Sequence, residues 1–385
     1  MSQVALLLPQ IDRIGGAERQ VTLLAKGLLR RGWRVSVVAL SGSGGQAAAE
    51  LTAAGTAFLT LEMRKGLADP RGWIRFHRWL SRERPDVVHA HLPHAAWLAR
   101  WSRLAAPGRA NYAPVWIDTL HSSSTGSVGR RLGYRFSRWL PDWVTAVSEA
   151  VADAHLAAEM VSAGRLSVIH NGVDTETWRP DAAVRAATRG EVGLMNEFVW
   201  LAAGRLEPVK DNSTLLRAMA DVPEPARLLI AGSGPLEGEL RKLAKELGIE
   251  LRVRFLGFQV DVLRLMQAAD AFALSSLWEG LPMGLLEAGA CALPAVASDV
   301  PGTREVVNDG QTGWLTPPGD ASALAAAMTA MMQASPEERR AMGVRARQRV
   351  VERFSMEAVL DQWEQLYGNL LTERSRELSR QAQPA

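Results

Sequence analysis

Short runs of apolar residues alternate along the chain with stretches in which apolar residues recur every three or four positions. Runs this short, apolar on both faces, are typical of parallel strands covered by helices. The pattern therefore predicts strands at residues 4–8, 34–40, 56–61, 86–91, 115–120, 144–147 and 166–170, and again at residues 198–203, 227–231, 252–256, 271–274, 295–297 and 313–315.

Two such series of strands and helices predict two Rossmann-like, doubly wound α/β domains. The pattern is interrupted around residues 173–189, where Trp178 and Pro180 precede a short helix. We place the domains at residues 1–175 and 176–355. We expect residues 356–385 to form a helix that packs back on the first domain, followed by a frayed tail.

Composition narrows the class of protein further. The chain has 385 residues, of which 47% are apolar and 22% charged, and its mean hydropathy is -0.04. These values exclude disordered and membrane-embedded classes. The single cysteine, Cys291, cannot form an internal disulfide, and the start of the chain lacks a signal-peptide pattern. We expect a cytoplasmic protein whose contact with a membrane, if any, is peripheral.

Charge is divided unevenly between the two predicted domains. Residues 1–175 contain 21 Lys and Arg against 13 Asp and Glu, whereas the remainder contains 23 against 28. A basic half is compatible with nucleic acid, an anionic membrane or phosphorylated substrates, and also with an ordinary solvated surface. Because no nucleic-acid recognition motif accompanies the charge, we expect no nucleic-acid partner.

Two strand-to-helix turns carry residues suited to anions. Gly15 and Gly16 follow the first strand, where a helix N-terminus offers N–H groups, although a tight turn would also explain them. In the second domain Arg205 follows a strand and Lys210 stands where the next helix should begin. Such a pair suits a diphosphate. The alternative is a surface salt bridge from Lys210 to Asp211 or Glu207.

A further strand ends in Gly232-Ser233-Gly234-Pro235. The first two glycines suggest a dinucleotide site, but Glu237 occupies the third glycine position of that motif. We therefore reject the dehydrogenase interpretation. We predict instead that Pro235 begins a helix capped by Ser233.

The segment from Ser275 to Ala288 combines carboxylates with an apolar helix. Pro282 suits the first turn, so the N–H groups of Met283 and Gly284 should face a ligand. Glu279 precedes that helix and Glu287 lies inside it, where a carboxylate needs a partner. Hydroxyls of a sugar or ribose are suitable donors, and a salt bridge in the core is the alternative for Glu287.

These motifs together resemble family 4 retaining glycosyltransferases of the GT-B fold, in which two Rossmann-like doubly wound parallel-sheet domains face an interdomain cleft. The resemblance rests on Glu279-x7-Glu287 and on the following motifs in the expected order: Gly15-Gly16, Asn171-Gly172-Val173-Asp174, Gly204-Arg205-Leu206 with Lys210, Ala295 to Asp299, Gly302-x2-Glu305-Val306-Val307, Gly310-x2-Gly313 and Pro317-Pro318-Gly319-Asp320. One departure is Glu279-Gly280-Leu281-Pro282, where many relatives have an aromatic residue and glycine.

The resemblance implies a nucleotide-sugar donor, with a UDP-sugar favoured. It implies that Arg205 and Lys210 bind the diphosphate and that Gly15 and Gly16 close over the distal phosphate. It assigns Glu287 to the ribose and Glu279 to the donor hexose. The backbone near Gln259 would contact the base.

His121 follows the predicted strand 115–120, and the resemblance implies that it contacts the reacting sugar on the acceptor side. An ordinary loop histidine is the alternative. His89, His91 and His94 have a spacing that suggests a metal, but no Cys, Asp or Glu nearby completes a ligand set. No Asp-x-Asp occurs in the chain. We therefore expect no metal and no other cofactor.

The implied chemistry is retention of anomeric configuration, with the departing phosphate taking the proton of the acceptor hydroxyl and Arg205 and Lys210 stabilising its charge. Residues 129–143 mix arginine with aromatic residues, which suits a lipid-linked acceptor or an anionic membrane surface, or else a helix packed on its own sheet. Two other functions stay open: another GT-B enzyme, such as a sugar-nucleotide epimerase or phosphorylase, and a catalytically silent nucleotide-sugar-binding protein.

Overall fold

A computed structural model describes residues 2–12, 15–64, 69–105 and 112–381. The chain forms two compact units. Unit 1 comprises Met1–Gly172 together with Met356–Ala385, and unit 2 comprises Val173–Ser355. The last four residues of the predicted tail, 382–385, lie outside the described residues.

Unit 1 is an alternation of strands and helices completed by the C-terminal helix. Its strands are β1 (Gln3–Leu8), β2 (Arg34–Ala39), β3 (Ala57–Thr60), β4 (Val87–His91), β5 (Val115–Leu120), β6 (Trp143–Ala146) and β7 (Leu166–Val168). Its helices are α1 (Gly16–Arg30), α2 (Gly45–Ala53), α3 (Pro70–Glu83), α4 (Pro93–Ala105), α5 (Val128–Ser137), α6 (Glu149–Ala157) and, far along the chain, α15 (Met356–Gln381), with a 3₁₀ turn at Ala163–Arg165.

The seven strands of unit 1 form a parallel sheet in the order β3-β2-β1-β4-β5-β6-β7. The strand order reverses between β1 and β4, the hallmark of a doubly wound sheet. Helix α15 covers part of this unit. Leu360 packs against Gly27 of α1, where any Cβ would lie 2.5 Å from a leucine methyl. Arg31 forms ion pairs with Glu357, Asp361 and Glu364 of α15.

Unit 2 repeats the alternation. Its strands are β8 (Phe198–Ala203), β9 (Ala226–Ala231), β10 (Val253–Gly257), β11 (Ala271–Leu274), β12 (Ala295–Ser298) and β13 (Gly313–Thr316). Its helices are α7 (Ala182–Val192), α8 (Asn212–Asp221), α9 (Glu237–Glu246), α10 (Leu263–Ala268), α11 (Met283–Ala290), α12 (Pro301–Val306), α13 (Ala321–Gln333) and α14 (Pro336–Phe354), with a 3₁₀ turn at Pro208–Lys210.

The six strands of unit 2 are also parallel, in the order β10-β9-β8-β11-β12-β13. The order reverses between β8 and β11. Helices α8, α9 and α13 bury Leu215, Leu240 and Met328 in one apolar core with Trp200 of β8. The prediction of two doubly wound parallel-sheet domains is confirmed, and all thirteen predicted strands are present with ends shifted by at most two residues.

The predicted helix start at Pro235 is wrong. Helix α9 begins at Glu237, and its cap residue Leu236 receives no side-chain hydrogen bond, so Ser233 does not cap it. The turn is held instead by the neighbouring loop, since Leu206 donates to the Ser233 carbonyl and Leu236 donates to the Leu206 carbonyl. Backbone pairing between loops therefore delays the helix by two residues.

The same loop contact explains both glycines of the Gly-x-Gly sequence. A Cβ on Gly232 would lie 1.8 Å from the Gly204 carbonyl oxygen, and a Cβ on Gly234 would lie 2.4 Å from the Leu206 carbonyl oxygen. These glycines let the loop after β9 lie directly on the loop after β8. Within the described part of the chain, no helix combines the length and apolarity that crossing a membrane requires.

Candidate functional site

The candidate site of unit 2 lies where the strand order reverses. Strands β8 and β11 are neighbours in the sheet, and a loop follows the carboxyl end of each. Open α/β sheets bind ligands in the crevice outside the carboxyl ends of the strands at this topological switch point. A cavity at this edge is lined by Ala202, Ala203, Gly204, Arg205, Lys210, Asn212, Ile230, Ala273, Leu274 and Ser275.

Lys210 ends the 3₁₀ turn that follows β8, two residues before α8 begins. The prediction that Lys210 starts the helix is therefore wrong. Asp211, in a left-handed conformation, caps α8, and its carboxylate accepts hydrogen bonds from the N–H and the hydroxyl of Thr214. Lys210 Nζ lies 2.6 Å from Glu279 Oε1.

Glu279 sits in the loop after β11, and its side chain is only 11% exposed. Its Oε1 accepts from Lys210 and also from the Ser276 hydroxyl at 2.6 Å. The two loops are held together by backbone bonds as well, because Leu277 donates to the Val209 carbonyl and the Ser275 hydroxyl bonds the Lys210 carbonyl. The cation and the carboxylate are thus positioned by one connected network.

Helix α12 packs against the backbone of the loop that contains Glu279. A Cβ on Gly302 would lie 2.6 Å from the Glu279 carbonyl oxygen and 2.5 Å from the Gly280 carbonyl oxygen. Only a glycine permits this approach. The sequence pattern did not predict a role for Ser276 or Gly302, although Ser276 lies in the segment from Ser275 to Ala288 and Gly302 begins one of the family motifs.

Arg205 lies two residues after β8 and its side chain is 75% exposed. It pairs with Glu207 at 2.7 Å and lines the same cavity as Lys210. The surface salt bridge considered for Lys210 with Glu207 or Asp211 is not formed. Lys210 pairs with Glu279 instead, and Glu207 is the partner of Arg205.

Helix α11 begins beside this network. Pro282 is its cap residue and supplies no side-chain acceptor, so the helix proper begins at Met283 and continues with Gly284. Gly284 lies against Phe272 of β11, where a Cβ would meet the ring at 3.0 Å. Glu287 is buried one turn further along the helix, on the same side as Met283 and Gly284.

Gln259 is in the loop after β10, at the edge of the sheet. Its side-chain amide donates to the Leu256 carbonyl at 2.6 Å, which fixes the loop conformation. Arg205 and Lys210 therefore lie in the segment after β8, Glu279 lies in the loop after the neighbouring β11, and Met283, Gly284 and Glu287 lie in the helix that follows that loop. Gln259 follows β10, which is two strands away from β8.

The other candidates belong to unit 1. Gly15 caps α1 and Gly16 is its first residue, and both are exposed. The Gly15 N–H donates to the Glu18 carboxylate at 3.1 Å. One of the N–H groups proposed for a phosphate therefore already has an acceptor from its own helix. The role of both glycines toward a phosphate stays a prediction.

His121 directly follows β5 and is half-buried, and it contacts the buried His91. Its Nε2 lies 3.1 Å from His91 Nδ1, and its Nδ1 is buried without a hydrogen-bond partner among the described residues. The ring centroids of His91 and His89 lie 4.0 Å apart, with the two rings tilted by 40°. Burial lowers the pKa of His121 to about 4 and holds the pKa values of His89 and His91 well below the usual range. All three imidazoles are neutral near pH 7.

Both ring nitrogens of His89 are hydrogen-bonded to other side chains. Its two nitrogens bond the Tyr367 hydroxyl at 2.7 Å and the Thr119 hydroxyl at 2.6 Å, which ties α15 to β4 and β5. Across the described ranges, no group of three or more His, Cys, Asp or Glu side chains is arranged to hold a metal ion.

Comparison with known proteins assigns a family to both parts of the chain. Residues 14–177 match the model described as Glycosyltransferase Family 4, and residues 185–349 match the model described as Glycosyl transferases group 1. Phosphatidyl-myo-inositol mannosyltransferase of Mycobacterium leprae (strain TN) is 30% identical over 97% of this chain and 98% of its own length. N-acetyl-alpha-D-glucosaminyl L-malate synthase of Bacillus anthracis is 30% identical over 76% of each.

Solved structures share the fold over nearly the whole chain. HepE of Anabaena, crystallised with UDP and glucose, has a TM-score of 0.84 and 23% identity, covering 96% of this chain and 100% of that chain. A sucrose-phosphate synthase of Thermosynechococcus elongatus has a TM-score of 0.82 and 24% identity, covering 97% and 100%. At these identities the similarity describes the fold.

Proposed function

Because the chain belongs to glycosyltransferase family 4 and has the GT-B fold, we propose that it is a retaining hexosyltransferase. It transfers a hexose or N-acetylhexosamine from a nucleotide-sugar, with a UDP-sugar favoured, to a hydroxyl of a glycan or lipid-linked acceptor. The product belongs to a cell-envelope polysaccharide or glycoconjugate.

The contact between Lys210 and Glu279 carries this proposal. A nucleotide-sugar presents its anionic diphosphate directly beside the polar hydroxyls of its hexose. Lys210 and Glu279 lie 2.6 Å apart at the switch point, so the cation suits the diphosphate and the adjacent carboxylate suits the sugar hydroxyls. A phosphate would attract Lys210, and Glu279, still bonded to Ser276, would then be available to sugar hydroxyls.

We propose the following roles for the remaining candidate residues. Arg205 joins Lys210 on the diphosphate, since both line one cavity. The N-terminus of α11 at Met283 and Gly284 adds N–H groups with partial positive charge. Glu287 receives the ribose hydroxyls and the backbone near Gln259 meets the base. The family resemblance further assigns Gly15 and Gly16 of unit 1 to the distal phosphate and His121 to the reacting sugar, and we retain these roles as proposals.

Relatives support the classes of donor and acceptor. Structures of HepE contain UDP with glucose and UDP-glucose, which supports a UDP-sugar donor. The name of the Mycobacterium leprae relative combines a mannosyl group with a phosphatidyl-inositol acceptor. The name of an Escherichia coli relative, 25% identical over 80% of this chain, describes galactosyl transfer to a diphosphoundecaprenol-linked sugar. Both support a hydroxyl on a lipid-linked acceptor.

The proposed reaction exchanges one C–O bond for another at the anomeric carbon. The bond from that carbon to the diphosphate oxygen breaks, and the acceptor oxygen bonds to the carbon from the same face. The proton of the acceptor hydroxyl passes to the departing phosphate. Lys210 and Arg205 hold the negative charge that grows on that phosphate, so we propose that no metal ion is needed for it.

A thermal-shift screen of nucleotide-sugars in the presence of EDTA tests the donor and the metal independence together. We expect UDP-sugars to raise the unfolding temperature with EDTA present, because a ligand at 100 times its Kd stabilises the folded state by about 2.7 kcal/mol. Incubation with the donor alone should leave the sugar configuration unchanged, which separates a transferase from an epimerase.

Two results of that screen would contradict the proposal. Stabilisation that appears only after magnesium or manganese is restored would mean that a metal carries the diphosphate. Absence of a shift with every nucleotide-sugar, in a chain that is folded by circular dichroism, would remove the donor assignment.

A further inference from the structure

Glu207 lies between the two cations of the loop after β8. Its N–H donates to the Arg205 carbonyl at 3.0 Å, and its own carbonyl accepts from the Lys210 N–H at 3.0 Å. Glu207 also directly precedes the 3₁₀ turn that ends at Lys210, and its side chain does not cap that turn. The backbone of Glu207 therefore connects the two cations, whereas its carboxylate is directed elsewhere.

The carboxylate of Glu207 is directed at Arg205. Arg205 Nη1 lies 2.7 Å from Glu207 Oε1, and the two side chains are 75% and 30% exposed. Solvent screens so exposed a pair, so it contributes little to the stability of the fold. Its place is more informative than its strength, because Arg205 and Lys210 line the same cavity at the switch point.

The charges around this cavity balance. Lys210 lies 2.6 Å from Glu279, and Arg205 lies 2.7 Å from Glu207, so the formal charges of these four side chains cancel. A diphosphate must therefore compete with a carboxylate for each cation. The proposed function gives Glu279 a second partner in the hexose hydroxyls. It gives Glu207 none, so the effect of Glu207 on a diphosphate is to oppose its binding.

The proposed reaction increases the charge of the bound nucleotide. In a nucleotide-sugar both phosphates are esterified, and each carries one negative charge. Transfer of the sugar frees the terminal phosphate, whose further ionisation has a pKa of about 6, so the product gains almost one more charge at neutral pH. Two cations alone would therefore hold the product more tightly than the donor. A carboxylate beside one of the cations opposes this extra charge.

We propose that Glu207 is a positioning residue that competes with the terminal phosphate for Arg205. This competition lowers the affinity for the product nucleotide more than the affinity for the nucleotide-sugar, so the product leaves and the next donor binds. The proposal rests on the proposed function, because that function supplies the diphosphate. It extends that function by naming the residue that discriminates between donor and product.

Replacing Glu207 with glutamine removes the charge and keeps the size of the side chain. We expect Glu207→Gln to bind UDP about fivefold more tightly, which is the strength of an exposed ion pair. The KM for the nucleotide-sugar should change by about twofold or less, so UDP becomes the stronger inhibitor of transfer. Calorimetric titration and inhibition kinetics measure these quantities. Uridine, which has no phosphate, should bind both chains equally.

Salt and matched variants separate this role from a structural one. The gain in UDP affinity should shrink between about 0.1 M and 1 M salt, where the screening length falls from about 10 Å to 3 Å. Glu207→Asp keeps the charge and should stay close to the wild-type chain. Glu224 pairs with Arg227 at 2.5 Å but precedes β9, at the amino ends of the strands. Glu224→Gln should therefore leave UDP affinity unchanged.

A double variant tests whether Glu207 acts through Arg205. In a chain that carries Arg205→Ala, the further change Glu207→Gln should tighten UDP binding by less than about twofold, because the two residues act as a coupled pair. A gain that stays fivefold without Arg205 would overturn the proposal. It would also be overturned if Glu207→Gln tightened donor and product equally or changed neither.

Inorganic pyrophosphate, as a second probe, distinguishes failure of this proposal from failure of the proposed function. If UDP does not bind but Glu207→Gln tightens the binding of pyrophosphate, the nucleotide-sugar assignment is wrong and the competition between Glu207 and a diphosphate is supported. If UDP binds and neither probe responds to Glu207→Gln, the role of Glu207 is wrong and the proposed function stands. Binding of neither probe to any of the chains would contradict both.

Discussion

Replacing Lys210 with alanine should lower the rate of sugar transfer by roughly 10²- to 10³-fold. The ammonium is held 2.6 Å from Glu279 at the switch point, where the proposed leaving group gains its charge. Because that charge is greatest in the transition state, kcat should fall more than the affinity for UDP. Steady-state kinetics with calorimetric titration of UDP measures both quantities.

Matched variants distinguish this role from the loss of an ion pair. The side chain of Arg227 is 23% exposed, the same as Lys210, and pairs with Glu224 elsewhere in unit 2. Arg227→Ala should retain transfer. Lys210→Arg should restore part of the rate, because a cation remains. Glu279→Gln should impair transfer while UDP still binds, and Glu287→Ala should chiefly weaken UDP binding.

A wild-type kcat in Lys210→Ala would contradict the proposed role of Lys210 in stabilising the leaving group. It would equally be contradicted if Arg227→Ala and Lys210→Ala lost activity to the same extent, since the defect would then follow general destabilisation. Circular dichroism of each variant establishes that it is folded.

Replacing Asp118 with alanine should lower the free energy of unfolding by about 3–5 kcal/mol. Asp118 and Arg100 are 2% and 1% exposed and lie 2.6 Å apart. Removing the carboxylate leaves a guanidinium buried with no opposite charge, and desolvation of that cation is no longer offset. Urea denaturation of the variant and the wild-type chain measures the loss.

An exposed ion pair elsewhere in unit 1 is the control. Arg135 and Glu159 lie 2.7 Å apart, but their side chains are 52% and 53% exposed. Solvent screens such pairs, so Glu159→Ala should change the free energy of unfolding by less than about 1 kcal/mol. If Asp118→Ala cost no more than Glu159→Ala, the claim that Arg100 and Asp118 stabilise each other as a buried pair would be wrong.

Strand positions and the sheet type could be predicted because they depend on a local pattern. A parallel strand buried on both faces must be continuously apolar, and β5, β8 and β11 were predicted with the bounds that the structure shows. The candidate residues were found for the same reason, since Arg205 and Lys210 follow β8 and Glu279 follows β11. The end of a strand is visible in sequence as the end of an apolar run.

Contacts between loops could not be predicted from local pattern. The delayed start of α9, the requirement for glycine at Gly232 and the support of Glu279 by Gly302 all depend on backbone carbonyls from distant segments. Every residue has the same backbone carbonyl, so the sequence does not show which carbonyls contact a given glycine. The pairing of Lys210 with Glu279, 69 residues apart, is missed in the same way.

The choice between retention and inversion depends on which group takes the acceptor proton. Inversion needs a base on the face opposite the leaving group, and His121 is the residue of unit 1 that we consider for that role. Burial lowers its pKa to about 4, and such an imidazole is a weak base near pH 7. If His121 were nevertheless the base, His121→Ala should abolish transfer and the product of the wild-type chain would be inverted.

Proton NMR of the transfer product tests the central claim most directly, because the anomeric coupling reports the face from which the acceptor oxygen attacked. With an α-linked UDP-sugar as donor, our account predicts an α-linked product, with the departing phosphate as base and Lys210 and Arg205 stabilising its charge. A β-linked product would contradict both the same-face mechanism and the roles assigned to those cations.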